Sequence, residues 1–319
     1  MEESMKKHVA IALFLLVLVV SSADGQPQAV TIKVDCDAGG KIGAALVSMK
    51  PGDTLLVKGI CRENIAITAE RSRLTLDGQG QATIDAPDGG PAAIQVIGRD
   101  ITIRGFTITG GRNGINVLRG GTAVIANNVI HHTGPDKRPG SGEGINVGQH
   151  SFARFIGNTI RDNPNAGILV HESGAVRIGF TDVDTPSGGG NVIENNGGYG
   201  IRVSTSSNAR IAGNIIRKNG KDGVLVSGGS NAHVSGNVIS GNGGSGVMVI
   251  QSSVLLGSDR GDSGTNPLQA PNTTDAGMLN RGSGIRCEVG GSVDGRLGSL
   301  NGREGSKRFD KTCVNSIVR

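Results

Sequence analysis

The residues best equipped for proton transfer gather in the middle of the chain. His131, His150 and His171 are imidazoles, which gain or lose a proton near neutral pH. Glu143 is a carboxylate among them, and Arg202 follows some thirty residues after His171. Removing the proton next to a sugar carboxylate needs this mixture. A base takes the proton, and a cation holds the charge that builds on the carboxylate. His171, Arg202, Glu143, His150 and His131 are therefore the catalytic candidates. Tyr199, the only tyrosine, joins Asn146, Lys137, Arg138 and Glu172 as candidates for binding the substrate. Such a set suits an acidic or neutral polysaccharide.

These residues must be positioned by a repeat. The clearest unit reads A-x-I-x-x-N-x-I-x-x-N, followed by G-[IV]-x-V. One copy runs through Ala209, Ile211, Asn214, Ile216, Asn219, Gly223, Val224 and Val226. The next runs through Ala232, Val234, Asn237, Ile239, Asn242, Gly246, Val247 and Val249, a step of 23 residues. The frame also fits copies starting at Ala123 and Ala153, and a partial one at Asn191. Each unit holds three short alternating segments, and alternation at period two sends one set of side chains inward. Three strands bent at Gly and Asn make one coil, and coils stack by parallel pairing. The expected fold is all-β, a right-handed parallel β-helix with coils of about 23 residues. Asn128, Asn158, Asn191, Asn214 and Asn237 fall in one column, a structural amide ladder.

The same frame sorts the candidates. On the G-[IV]-x-V strands the outward residue is Asn116, Asn146, Leu169, Arg202, Leu225 and Met248 in successive coils. Asn113, Glu143, Ala166, Tyr199, Asp222 and Ser245 stand just before the Gly, and His150, His171 and Glu172 just after the strand. Two coils are longer than the rest: Asn128 to Asn158 is 30 residues and Asn158 to Asn191 is 33. The first insertion, 131–140, carries His131, His132, Asp136, Lys137 and Arg138. The second, 179–190, carries Asp182 and Asp184. Insertions on a repeat scaffold often carry function, so the first loop is expected to overhang Glu143, His171 and Arg202.

The ends and composition bound the rest. Lys6 and Lys7 precede an apolar run over 9–20 and then small residues, with cleavage expected after Ala23 or Gly25. The run is short of the roughly 20 apolar residues that a spanning helix needs. The expected domains are a signal peptide over 1–25, the β-helix over 26–290 and an irregular C-terminal cap over 291–319. Secretion, to an extracellular or periplasmic space, follows, with no stable membrane anchor after cleavage. Cys36, Cys61, Cys287 and Cys313 suit an oxidising compartment and allow three pairings; the local one would staple each end separately. Ile42, Ala45, Leu46 and Met49 are spaced as a short capping helix, and 257–280 reads as a long polar loop. With 54 Gly, no Trp and 2% aromatic residues, the chain suits a thin stacked core. A net charge of +5 with basic residues scattered and few aromatics argues against nucleic acid.

The repeat, with the entry segment PGDTLLVKGICRENIAI over 51–67, resembles the parallel β-helix proteins of the pectin-lyase-like superfamily. The resemblance implies uronate lyase- or epimerase-type activity on a polysaccharide. It is specific for fold, because the superfamily's catalytic signatures are missing: no G-H-G and no D-P-H-D segment exists here. Glu143, Glu172 and Asp222 form no tight carboxylate cluster, so no cofactor is expected, though calcium stays open. A non-catalytic extracellular binding or structural role is the alternative. A metal-site maturation role, through His131, His132, His150 and His171, is a third.

Overall fold

The computed structural model describes residues 28–134, 141–180, 189–257 and 269–318. The expected signal peptide, Lys137, Arg138, Asp136, Asp182 and Asp184 lie outside the described residues. Among the described residues every strand pairing is parallel and joins neighbouring coils, and the chain winds as a right-handed parallel β-helix. Each regular coil has three walls. The AxI wall includes Phe152–Ile156, Ala175–Gly179, Asn208–Ala212 and Asn231–Ser235. The NxI wall includes Val129–His131, Thr159–Arg161, Val192–Glu194 and Ile215–Arg217. The GIxV wall includes Ile115–Val117, Ile145–Val147, Ile168–Val170, Ile201–Val203, Val224–Ser227 and Val247–Ile250. Inward Ile, Val and Ala from all three walls stack into one continuous core. The helix Ile42–Ser48 buries Ile42 and Leu46 at the N-terminal end. Cys36 pairs with Cys61 and Cys287 with Cys313, so each end is stapled separately.

The corners are built from amides. Asn128, Asn158, Asn191, Asn214, Asn237 and Asn272 form a buried ladder. Each donates its Nδ2 to the Oδ1 of the next, as Asn191 does to Asn214 at 2.9 Å. Nδ2 also donates to a backbone carbonyl of the preceding coil, as Asn191 does to Phe155. A second ladder runs through Asn163, Asn196, Asn219, Asn242 and Asn280 at the next corner. There the GIxV strand starts against the ladder. A Cβ on Gly223 would lie 2.7 Å from the Gly246 carbonyl oxygen and 2.9 Å from Asn242 Nδ2. The Gly of the repeat is thus required by close approach.

Two expectations change. The segment read as a polar loop over 257–280 supplies Asn272 and Asn280, which extend both ladders by one coil. The cap expected to be irregular after 290 contains regular coils. Ser292–Arg296 pairs with Ser253–Leu256, Val314–Val318 pairs with Ser292–Arg296, and Lys307–Phe309 extends the GIxV wall. Their sequences lack the Asn spacing of the repeat.

Losing a buried amide strands its partners, at about 1–3 kcal/mol each. Asn219→Ala, and Gly223→Ala by steric conflict, are expected to lower stability by at least that amount in chemical denaturation. An unchanged midpoint in both would remove the ladder from the account of stability.

Candidate functional site

The GIxV wall carries the polar face. Its register places Asn116, Asn146, Leu169, Arg202, Leu225 and Met248 in one outward column. The early end is polar and the late end greasy: Leu225 and Met248 are 6% and 8% exposed. Glu143 stands at the polar end, only 3% exposed. Asn113 fixes its backbone, accepting from the Gly142 and Glu143 N–H groups at 3.2 Å. Asn165, on the next coil, donates to Glu143 Oε1 at 2.8 Å. The other oxygen, Oε2, is buried without a hydrogen-bond partner. Burial pushes the Glu143 carboxyl above its ordinary value, against the pull of Arg202, Asn165 and Arg112.

Two more unpartnered atoms lie on this wall. Asn146 Oδ1 is buried without a partner one strand residue beyond Ile145, and so is His171 Nε2 on the following coil. A Cβ on Gly148 would fall 2.6 Å from that Nε2, so the imidazole rests where Gly148 lacks a side chain. Its other nitrogen, Nδ1, is 3.5 Å from Glu172, which is exposed. Unpaired buried polar atoms are uncommon in folded proteins. Here three lie on two adjacent coils of one wall.

Cations and the tyrosine flank this place. Tyr199 and Arg202 share a coil, with Arg202 Cζ 6.0 Å from the ring centroid and Lys221 Nζ 5.0 Å from it. Burial, then Asp222, raises the tyrosine above its ordinary value. Asp222, one coil further, is likewise raised by burial, and accepts from the Ser245 N–H at 2.6 Å. Glu143 and Asp222 lie three coil steps apart, about 14 Å at the usual strand spacing. That is beyond the separation of a paired-carboxylate glycosidase.

The structure thus brings Glu143, Asn146, His171, Tyr199 and Arg202 onto one wall. It does not bring His131 there. His131 ends an NxI strand, in register with Arg161, and its Nδ1 meets His132 Nδ1 at 2.7 Å. Burial, then the His132 and Arg161 charges, lowers its pKa. His150 is exposed in a turn with φ of 61°. The expected imidazole cluster is therefore split between two walls, because one corner separates the NxI strand from the GIxV strand. Among the described residues no group of three His, Cys, Asp or Glu side chains is placed to hold a metal ion. Asn165 and Gly148, which shape the site, were not singled out by the sequence. Their signal lay only in their position one coil away from Glu143 and His171.

This winding and these corners define the class. The chain belongs to the family described as right handed beta helix region, whose model matches residues 92–257, just over half of its 319 residues. No curated protein matches the sequence. Among solved structures the chain is similar to the A-module of the Azotobacter vinelandii mannuronan C-5 epimerase AlgE6, with 17% identity and a TM-score of 0.49 over 91% of this chain and 89% of that one. It is similar to the pectate lyase Pel9A, with 14% identity and a TM-score of 0.44 over 89% and 80%. It is also similar to an alginate lyase from Paenibacillus sp. str. FPU-7, with 16% identity and a TM-score of 0.47 over 89% and 99%. Likenesses this distant carry no information on substrate.

A carboxyl whose folded pKa is raised binds its proton more tightly in the native state than in the unfolded one. Its favourable contribution is present below the ordinary Glu value, about 4.3, and is lost as pH rises through the folded value. Glu143→Gln is therefore expected to be more stable than the wild type at neutral pH, with the gap closing as pH falls through the carboxylate range. Denaturation midpoints against pH measure this; a variant less stable at neutral pH would show that Glu143 is held as a favourable anion.

Proposed function

We propose that this chain is exported and acts on a uronate-containing polysaccharide at its GIxV wall, by proton transfer at the carbon bearing the carboxylate. The observation that carries this reading is the buried Glu143 carboxyl, with one oxygen unpartnered, two coils from Arg202. Two coil steps are about 10 Å, enough to hold one sugar residue between acid and cation. Two separately stapled ends favour export. Among the described residues no helix is long and apolar enough to cross a membrane.

The roles follow from charge and position. Arg202 pairs with the sugar carboxylate and stabilises the enolate-like charge as the neighbouring proton leaves. His171 takes that proton. Glu143, kept protonated by burial more readily than an ordinary Glu, gives its proton to the leaving glycosidic oxygen. In the lyase form the C–H electron pair becomes a C=C bond as the C–O bond breaks. In the epimerase form no C–O bond breaks; His171 keeps the abstracted proton and Glu143 delivers its own to the opposite face of the same carbon. The second reading is a wall that binds the glycan without reaction. It is favoured by the three-coil gap between the two buried carboxyls.

Polygalacturonate and alginate are the substrates to test. Ultraviolet absorbance of the unsaturated uronate reads elimination, and proton NMR reads epimerisation. Arg202→Ala is expected to reduce activity at least about 100-fold and to weaken binding, whereas Glu143→Gln is expected to reduce turnover with binding retained. Binding that depends on Arg202 with neither product would leave the non-catalytic reading. No binding to either polymer would refute both.

A further inference from the structure

The GIxV wall turns polar again beyond its greasy stretch, and there it holds a cavity of about 240 Å³. The outward column runs on from Arg202 through Leu225 and Met248 to Arg286. Three coil steps separate the two arginines, about 14 Å. A neighbouring column runs Lys221, Gly244, Gly282 and Glu304, each N–H donating to the carbonyl of the one before. Its two middle members have no side chain, and that opens the cavity. A Cβ on Gly244 would lie 2.3 Å from Asp222 Oδ1, and one on Gly282 2.7 Å from Ser245 Oγ. Asp222 and Ser245 line the space instead. The charges lining it cancel. Arg286 Nε donates to Glu288 Oε1 at 2.7 Å, and Arg308 Nη1 donates to Glu304 Oε2 at 3.0 Å. That leaves Asp222 and the exposed Arg281, one of each sign. Lys221 lies 5.0 Å from the Tyr199 ring. Charges answer one another on the NxI wall too, where Arg161, Glu194 and Arg217 alternate and Arg217 Nε donates to Glu194 Oε2 at 2.7 Å. Arg202 differs: it is exposed and makes no ion pair among the described residues.

We propose that this cavity is a subsite for an uncharged sugar unit, so that the polysaccharide bound on this wall mixes uronate with neutral sugars. The inference rests on the reading of Arg202 as the group that holds a uronate, and adds what lies beside it. The volume is below the roughly 300 Å³ at which pockets for drug-sized ligands begin, and it suits one sugar ring. Leu225 and Met248, between the cavity and Arg202, give an apolar floor for the C–H faces of sugars. A hydroxyl-rich ring finds carboxylate acceptors and guanidinium donors around it, because ion-paired groups keep hydrogen-bonding capacity. A second sugar carboxylate finds less. It meets Asp222 and Glu304, with only Arg281 unanswered, and like charges brought together at an interface weaken it strongly. A homopolymer of uronate is therefore a poorer ligand than a chain whose acidic units are set among neutral ones.

The test titrates the full chain with two oligosaccharides of equal length. One is oligogalacturonate. The other is deacylated gellan, whose repeat sets one glucuronate among neutral sugars. Gellan is expected to bind at least about tenfold more tightly. Asp222→Asn keeps an acceptor for the Ser245 N–H, and is expected to strengthen oligogalacturonate binding and close most of that gap. Arg281→Glu is expected to weaken oligogalacturonate by a further tenfold or so and to leave gellan within about threefold. Arg202→Ala is expected to weaken both. Equal affinity for the two oligosaccharides, with both weakened by Arg202→Ala, would overturn the proposal and keep the reading of Arg202. A gellan preference that neither Asp222→Asn nor Arg281→Glu alters would overturn it as well. No binding of either, or binding indifferent to Arg202→Ala, would sink the reading and the proposal together.

Discussion

The structure depends on buried side-chain amides that bond to copies of themselves one coil away. An Asn facing the core corner offers two donors and an acceptor. Along the ladder, another Asn in register and a backbone carbonyl of the preceding coil satisfy them. A slip of one residue in any coil would bury several unpaired amides, each at a cost of about 1–3 kcal/mol. The two ladders therefore lock the register of all three walls. The Gly before each GIxV strand follows from the same constraint, since a side chain there would strike the neighbouring coil and the ladder.

A locked register turns sequence positions into columns, and columns give each wall its character. On the NxI wall charges alternate and neutralise one another. On the GIxV wall a buried carboxyl, an orphaned amide oxygen and an orphaned imidazole nitrogen follow one another before a tyrosine and its cations. Burial makes Glu143 hold its proton more readily than it would in water.

Much of this was legible in the residues. A period of 23 with paired Asn and a Gly-initiated strand places the GIxV column correctly from Asn116 to Met248, because alternation at period two leaves no other face for the side chains. The ladder through Asn128 and Asn237 was legible for the same reason. Asn272 and Asn280 were not, because insertions put them 35 and 38 residues after their partners. The strands after 290 were missed because they keep the pairing without the Asn spacing. At the site, the sequence put Glu143, His171 and Arg202 on one wall but also drew His131 toward them. One corner of backbone separates His131 from that wall, and a linear reading does not show which way a corner turns. The burial of Glu143 and its bond to Asn165 depend on contact between coils, which no local pattern encodes.

The most direct test of the active face is a crystal structure of the Glu143→Gln protein bound to an oligouronate. The account predicts a sugar chain lying on the GIxV wall, with one carboxylate on the Arg202 guanidinium and a sugar ring between that group and residue 143. An oligouronate bound only on another wall, at concentrations that saturate the protein in solution, would contradict it.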